Sequence, residues 1–192
     1  MLIDSAIEVF STQGFDAARV SEITTRAGLA NGTFYNHFRD KDELASEATR
    51  AVALEIVQDI DDEMVDIDDA GERIVTACSR FIAIAVEHGD WGKVLLDWML
   101  RNQDRGHEVA RFLRADVQRG IDQGLFEIDL DDFLIEELSA LVAASLRRQL
   151  RTGADDQIVS RTTQNMLRLL GFSPAKAART VERTFRRLGK NA

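Results

Sequence analysis

The stretch Gly28-Leu29-Ala30-Asn31-Gly32-Thr33-Phe34-Tyr35-Asn36-His37-Phe38-Arg39-Asp40 decides how this chain folds. A turn carrying Gly28 separates two segments, each too short to fold alone. The second, from Asn31 to Phe38, sets Asn31, Thr33, Tyr35, Asn36 and His37 around two apolar anchors, Phe34 and Phe38. A helix so rich in hydrogen-bonding side chains is not built mainly to fill a core. It suits a polar surface, and a DNA groove is the leading candidate. Upstream, Val20, Ile23 and Ala27 recur at helical spacing, with Arg26 near the helix end, where a cation is favoured. Further back, Ile3, Ala6, Ile7 and Phe10 mark one face of a first helix that stops at Gly14. These segments predict a three-helix module whose last two helices are joined by a tight turn, a helix-turn-helix.

The 192 residues accommodate one such small module and a larger one. A hydrophobic content of 45% supports a real core. No apolar run approaches the roughly 18 residues of a membrane helix, and no charged-then-apolar leader opens the sequence. The lone Cys78 can form no internal disulfide, which fits a reducing cytoplasm. The expectation is a cytoplasmic protein with no membrane partner. The net charge of −9 sits awkwardly with nucleic-acid binding. Residues 1–50 hold five Arg or Lys against eight acids, but residues 23–41 hold Arg26, Arg39 and Lys41 against Asp40 alone. The candidate reading face is therefore locally positive, and modest non-specific affinity is expected.

Strand-period alternation is absent and proline occurs once, at Pro174, so the fold class is all-α, with about ten helices. A long fourth helix starts near Lys41 and carries Ala48, Val52, Ile56, Ile60, Met64 and Ile67 as one stripe; its acidic second half reads as a solvated face rather than a metal site. A fifth helix closes at His88-Gly89. Asp90 is expected to cap a sixth, Asp104 a seventh and Asp155 a ninth, with the eighth running from near Asp131 to Gly153. Ser173-Pro174 restarts the chain into a tenth helix. The expected division is 1–45 and 46–192, with the boundary inside the fourth helix.

In sequence, residues Ala6 to Leu44 resemble the TetR family of bacterial transcriptional regulators. The pattern is Ala6-x-x-x-Phe10, Gly14-Phe15, Val20, Glu22-Ile23, Ala27-Gly28-Leu29, Gly32-Thr33-Phe34-Tyr35-x-His37-Phe38 and Lys41-x-Glu43-Leu44. The resemblance implies that Asn31–Phe38 enters the major groove of a double-stranded DNA operator while Val20–Ala27 lies across its edge. Asn31 and Asn36 carry amides suited to a purine edge, and Thr33 and Tyr35 hydroxyls suited to phosphate. Lys41 is a further phosphate contact by this reading. His37 serves phosphate or caps the helix, and Gly32 allows close approach or shapes the first turn. Ser21 lies where the family often reads a base. Where the family usually has a Thr or Ser pair before the second helix, this chain has Ala18 and Arg19. The cap is lost, and Arg19 is a candidate for a stronger phosphate contact.

The resemblance also implies an N-terminal helix-turn-helix DNA-binding domain followed by a larger helical effector-binding and dimerisation bundle. Candidate pocket residues are Phe81, His88, Trp91, Leu95, Trp98, Met99, Asn102 and Phe112, for a small apolar or aromatic effector. Candidate homodimer residues are Leu138, Leu141, Val142, Ser145, Ile158, Thr162, Met166 and Leu169. A Gly-rich phosphate loop, paired metal-ligand histidines and a nucleophile motif are all missing, so no catalysis, cofactor or metal is expected. The function expected is a regulator, most commonly a repressor, released from its operator by a small molecule. The alternative is a DNA-binding protein without a small-molecule effector, architectural or controlled by a protein partner through the basic last helix.

Overall fold

A computed structural model describes residues 1–101 and 107–189, which form ten helices. In order they are α1 (Leu2–Gln13), α2 (Val20–Arg26), α3 (Asn31–Phe34), α4 (Lys41–Glu63), α5 (Ala70–Glu87), α6 (Gly89–Arg101), α7 (His107–Asp122), α8 (Asp132–Thr152), α9 (Asp156–Leu169) and α10 (Pro174–Arg187). The chain divides into two compact units, Met1–Ala53 and Leu54–Ala192, within α4.

In the first unit, Ala6, Val9, Phe10, Ala18, Ile23, Phe34, Leu44 and Ala48 are buried. The turn after α2 follows from Gly28, whose φ of 68° few side chains tolerate. There the Gly28 N–H donates to the Thr25 carbonyl (3.1 Å) and the Leu29 N–H to that of Thr24 (2.9 Å), closing the helix end. α3 is shorter than its sequence suggests. Beyond Phe34 the backbone continues as turns, with Asn36 N–H donating to Thr33 O and His37 N–H to Phe34 O. Gly32 and Asn36 are poor helix formers, and i→i+3 bonds tighten the end.

In the second unit α5 is the central element, packing against α6, α7, α8, α9 and α10. Asp131, Asp155 and Ser173 cap α8, α9 and α10, each side chain accepting from a backbone N–H of the first turn; α8 begins near Asp131 as expected, and its cap is a further finding. The corner between α5 and α6 differs. α6 already begins at Gly89, so Asp90 lies in its first turn instead of capping it. The Asp104 cap and Asn102 lie outside the described residues. The stripes expected at a dimer interface are largely covered within the unit. Leu138, Val142, Ser145, Thr162 and Met166 are all buried within this unit, and Leu141, Ile158 and Leu169 are half-buried. Helical periodicity marks a covered face but not which partner covers it.

Gly92 fixes how closely α6 approaches α5. A Cβ there would lie 2.1 Å from the Ala85 carbonyl oxygen, a backbone atom that cannot swing away. Gly92→Ala is therefore expected to destabilise the second unit by about 1–3 kcal/mol through overpacking. Chemical denaturation checks this; a variant as stable as the wild type would refute the close packing.

Candidate DNA-reading face and an aromatic cavity

The segment that the sequence singled out is exposed. Arg19, Ser21, Asn31, Gly32, Asn36 and His37 lie on the surface, Thr33 is half-buried, and Tyr35 is 62% exposed. Phe34 is fully buried and supports this surface from beneath, edge-on to Tyr35 at 5.0 Å and 5.8 Å from Phe38. The Asn31 amide oxygen lies 3.4 Å from the Thr24 hydroxyl, which also lies 3.1 Å from the Val20 and Ser21 carbonyls. The side chain that opens α3 is thereby steered from α2.

The cations divide unequally. Arg26 pairs with Glu8, Arg39 with Glu43 (3.2 Å) and Arg50 with Glu47 (2.9 Å). Lys41 departs from its expected phosphate role. Its ammonium donates to the carbonyls of Phe15 (2.8 Å) and Ala18 (3.1 Å), with that of Asp16 at 3.5 Å, and stands 4.4 Å over the Phe15 ring. An ammonium has three protons, and here they face the loop between α1 and α2. Arg19 is different: among the described residues its guanidinium has neither an ion pair nor a hydrogen bond. Its backbone N–H donates to Glu22 Oε2 (3.1 Å), so Arg19, at the N-cap position of α2, keeps the Glu22 half of a capping box.

The second unit forms a half-open cavity of about 230 Å³ between α4, α5, α6, α7 and α8. Phe81, Trp98, Met99 and Phe112 line it, together with Ile60, Met64, Leu113 and Met166 from elsewhere in the chain. His88, Trp91 and Leu95 do not: His88 is exposed, Trp91 half-buried and Leu95 buried elsewhere. Sequence reading missed the polar part of the wall, formed by Asp61, Asp116, Asp132, Glu136, Ser139 and Arg114. Arg114 pairs with Asp132. Behind the wall, Arg73 is buried and donates to Asp116, to Asp61 and, at 2.7 Å, to the Met64 carbonyl. Burial pushes the Asp116 carboxyl above the usual carboxylate range, and Arg73 pulls the other way. A signal for this pair was present: Arg73 adjoins Ile74 and Asp116 adjoins Val117, charges set on otherwise apolar faces.

The basic face of α10 is largely committed within the subunit. Arg183 pairs with Asp69 and Glu72, Arg187 with Glu72, Arg186 with Glu182, and Lys176 stands 3.8 Å over the Phe172 ring. Among the described residues no helix is long and apolar enough to cross a membrane.

Residues 2–48 match the family model described as bacterial regulatory proteins, tetR family. The fatty acid metabolism regulator protein of Bacillus subtilis (strain 168) is 24% identical over 170 residues, covering 85% of this chain and 82% of the relative. Among solved structures, the chain resembles RolR in complex with resorcinol, with a TM-score of 0.82 and 23% identity over 95% of this chain and 91% of that one. It also resembles FadR from Bacillus subtilis in complex with stearoyl-CoA, with a TM-score of 0.55 and 17% identity over 88% and 96%. At these identities the structural likeness establishes the fold.

Arg19 and Lys41 should separate in DNA binding. Arg19→Gln is expected to weaken binding across sequences and to lower the slope of log affinity against log salt by about 1. Lys41→Met keeps the stem, loosens the loop before α2 and weakens binding with little change of slope. Fluorescence anisotropy across a salt series measures both; a larger loss of slope for Lys41→Met than for Arg19→Gln reverses the two roles.

Proposed function

We propose, from the premise that this chain belongs to the TetR family of bacterial regulatory proteins, that it is a repressor that binds a palindromic operator as a homodimer and leaves it when a small aromatic effector enters the cavity. DNA-binding transcriptional regulation is what the family does. Repression, the operator and the effector are our reading. The observation that carries it is the relation of α4 to the cavity. Val57, Ile60 and Asp61 of α4 line it, with Met64 just beyond the helix end, and Lys41, the first residue of the same helix, holds the loop before α2. A ligand that displaces the cavity end of α4 acts on the helix that carries this hold.

In this reading residues 1–45 serve DNA and 46–192 serve effector and dimer. Asn31, Gly32, Thr33, Tyr35, Asn36, His37, Ser21 and Arg19 form the DNA surface. Cavity size favours a substituted ring. Pockets for drug-sized ligands measure roughly 300–1,000 Å³, whereas an apolar cavity of ~150 Å³ already holds benzene. A volume of about 230 Å³ suits a ring with one or two substituents and is too small for an acyl-CoA such as the one FadR holds. For dimerisation the outward side of α8 and α9 replaces the buried stripes. There the exposed Ala140 and Ala144 accompany the half-buried Leu141, Ile158 and Leu169. Small side chains at that spacing permit close helix packing, and two half-sites about one helical turn of DNA apart require such a pair.

Selection of binding sequences from random duplexes is expected to return an inverted repeat. Light scattering is expected to give a dimer, and a panel of small aromatics to raise the melting temperature and release the duplex. Ser139→Phe, which fills the cavity from α8, is expected to retain DNA binding and lose the response. Binding that no compound alters in the wild type would favour the partner-controlled or architectural alternative.

A further inference from the structure

Asp116 presents a buried acceptor to the cavity. The residue is only 4% exposed and forms part of the cavity wall. Its Oδ1 accepts from Arg73 Nε, while Oδ2 has no hydrogen-bond partner among the described residues. A carboxylate oxygen without a donor on a mostly apolar wall is an open acceptor. Ser139 and Trp98 also bring donors to that wall, and neither is bonded to Asp116. The remaining acidic lining residues, Asp61, Asp132 and Glu136, are acceptors themselves, and the Arg114 guanidinium is engaged with Asp132. Arg73 is held behind the wall by two carboxylates and a carbonyl. The cavity therefore offers rings and methyl groups over most of its surface and, at one side, carboxylate oxygens, the Ser139 hydroxyl and an Arg114 already paired with Asp132.

We infer that the effector is a small aromatic of the phenol class, whose O–H donates to Asp116 Oδ2 while its ring lies among Phe81, Trp98 and Phe112. This rests on the effector reading above and gives that effector its chemistry. A hydrogen bond from a hydroxyl to a carboxylate is charge-assisted and short, and it is strengthened where water is excluded. The same geometry disfavours aromatic carboxylates, whose charge would face Asp61, Asp116 and Glu136 without a counter-ion. Asp116 is also the cavity residue best placed to report occupancy. It shares Arg73 with Asp61 and with the Met64 carbonyl, both near the C-terminal end of α4. A ligand donor on Asp116 Oδ2 draws on the carboxylate charge that Arg73 meets at Oδ1, which weakens that hold relative to those on Asp61 and the Met64 carbonyl.

Calorimetric titration of the full-length protein with phenol, resorcinol, toluene and benzoate tests this, alongside Asp116→Asn. The expected result is that phenol and resorcinol bind about tenfold or more tightly than toluene, the margin of a hydrogen bond to a charged group. Benzoate is expected to give no measurable heat. In Asp116→Asn the preference for phenol over toluene should shrink severalfold with toluene affinity unchanged. Toluene binding as well as phenol, or benzoate binding best, overturns the donor assignment and leaves the effector reading standing. An undiminished preference in Asp116→Asn overturns Asp116 as the acceptor. If that variant does not fold, the four compounds on the wild type decide the ligand class. Failure of every compound to bind overturns both this inference and the small-aromatic effector reading.

Discussion

Burying one guanidinium forces three helices to meet. Arg73 is 5% exposed, and its N–H groups have to find oxygens inside the second unit. They find Asp116 on α7, Asp61 on α4 and the Met64 carbonyl just beyond α4. Apolar side chains of similar volume would pack this junction as firmly, so stability alone does not account for it. The ionic version brings two carboxylates to the edge of a cavity whose other walls are rings and methyl groups. Asp132, Glu136, Ser139 and Arg114 complete the polar part of that wall. The shape of the cavity and its chemistry thus share one origin.

A second constraint acts on the DNA side. An acidic protein that binds a polyanion depends on the placement of a few cations, because the total charge works against it. In the first unit Arg26, Arg39 and Arg50 are each matched by a glutamate, and Lys41 is turned onto backbone carbonyls. Those contacts hold the helices and the loop in register, and they also remove most of the free positive charge. Arg19 stands outside that scheme: at the start of α2 its guanidinium has no ion pair among the described residues.

What could be read from the sequence was local. Gly28 after Ala27, Asp131, Asp155 and Ser173-Pro174 each impose their geometry through a single backbone bond or φ angle, and the helices begin and end where those residues stand. The end of α3 and the start of α6 were misread because turn-like and helical bonding compete there within one residue's register. Burial was harder still. Leu138 and Met166 have the spacing of an interface residue and of a core residue alike, since periodicity reports only that a face is covered. The aromatic cavity was legible in part, through Phe81, Trp98, Met99 and Phe112. Asp61, Asp116 and Glu136 were not, because they come from three helices distant in sequence and carry no shared motif. Arg73 was the available clue, a charge seated on an apolar stripe.

The two polar anchors give α4 a particular mechanical character. It runs for 23 residues, roughly 35 Å at 1.5 Å per residue, and the boundary between the two units falls within it. Lys41 grips carbonyls at its first residue, and Asp61, with the Met64 carbonyl beyond the helix end, is gripped by Arg73. Both grips are hydrogen bonds with alternative partners close by, unlike an interlocked apolar surface that must unpack to move. A helix held in this way can be re-seated by a small change in competition for donors at one end, while Leu44, Ala48, Ile60 and Met64 remain buried along its length. That makes the contest for Arg73 a better candidate for the regulatory event than any rearrangement of the core.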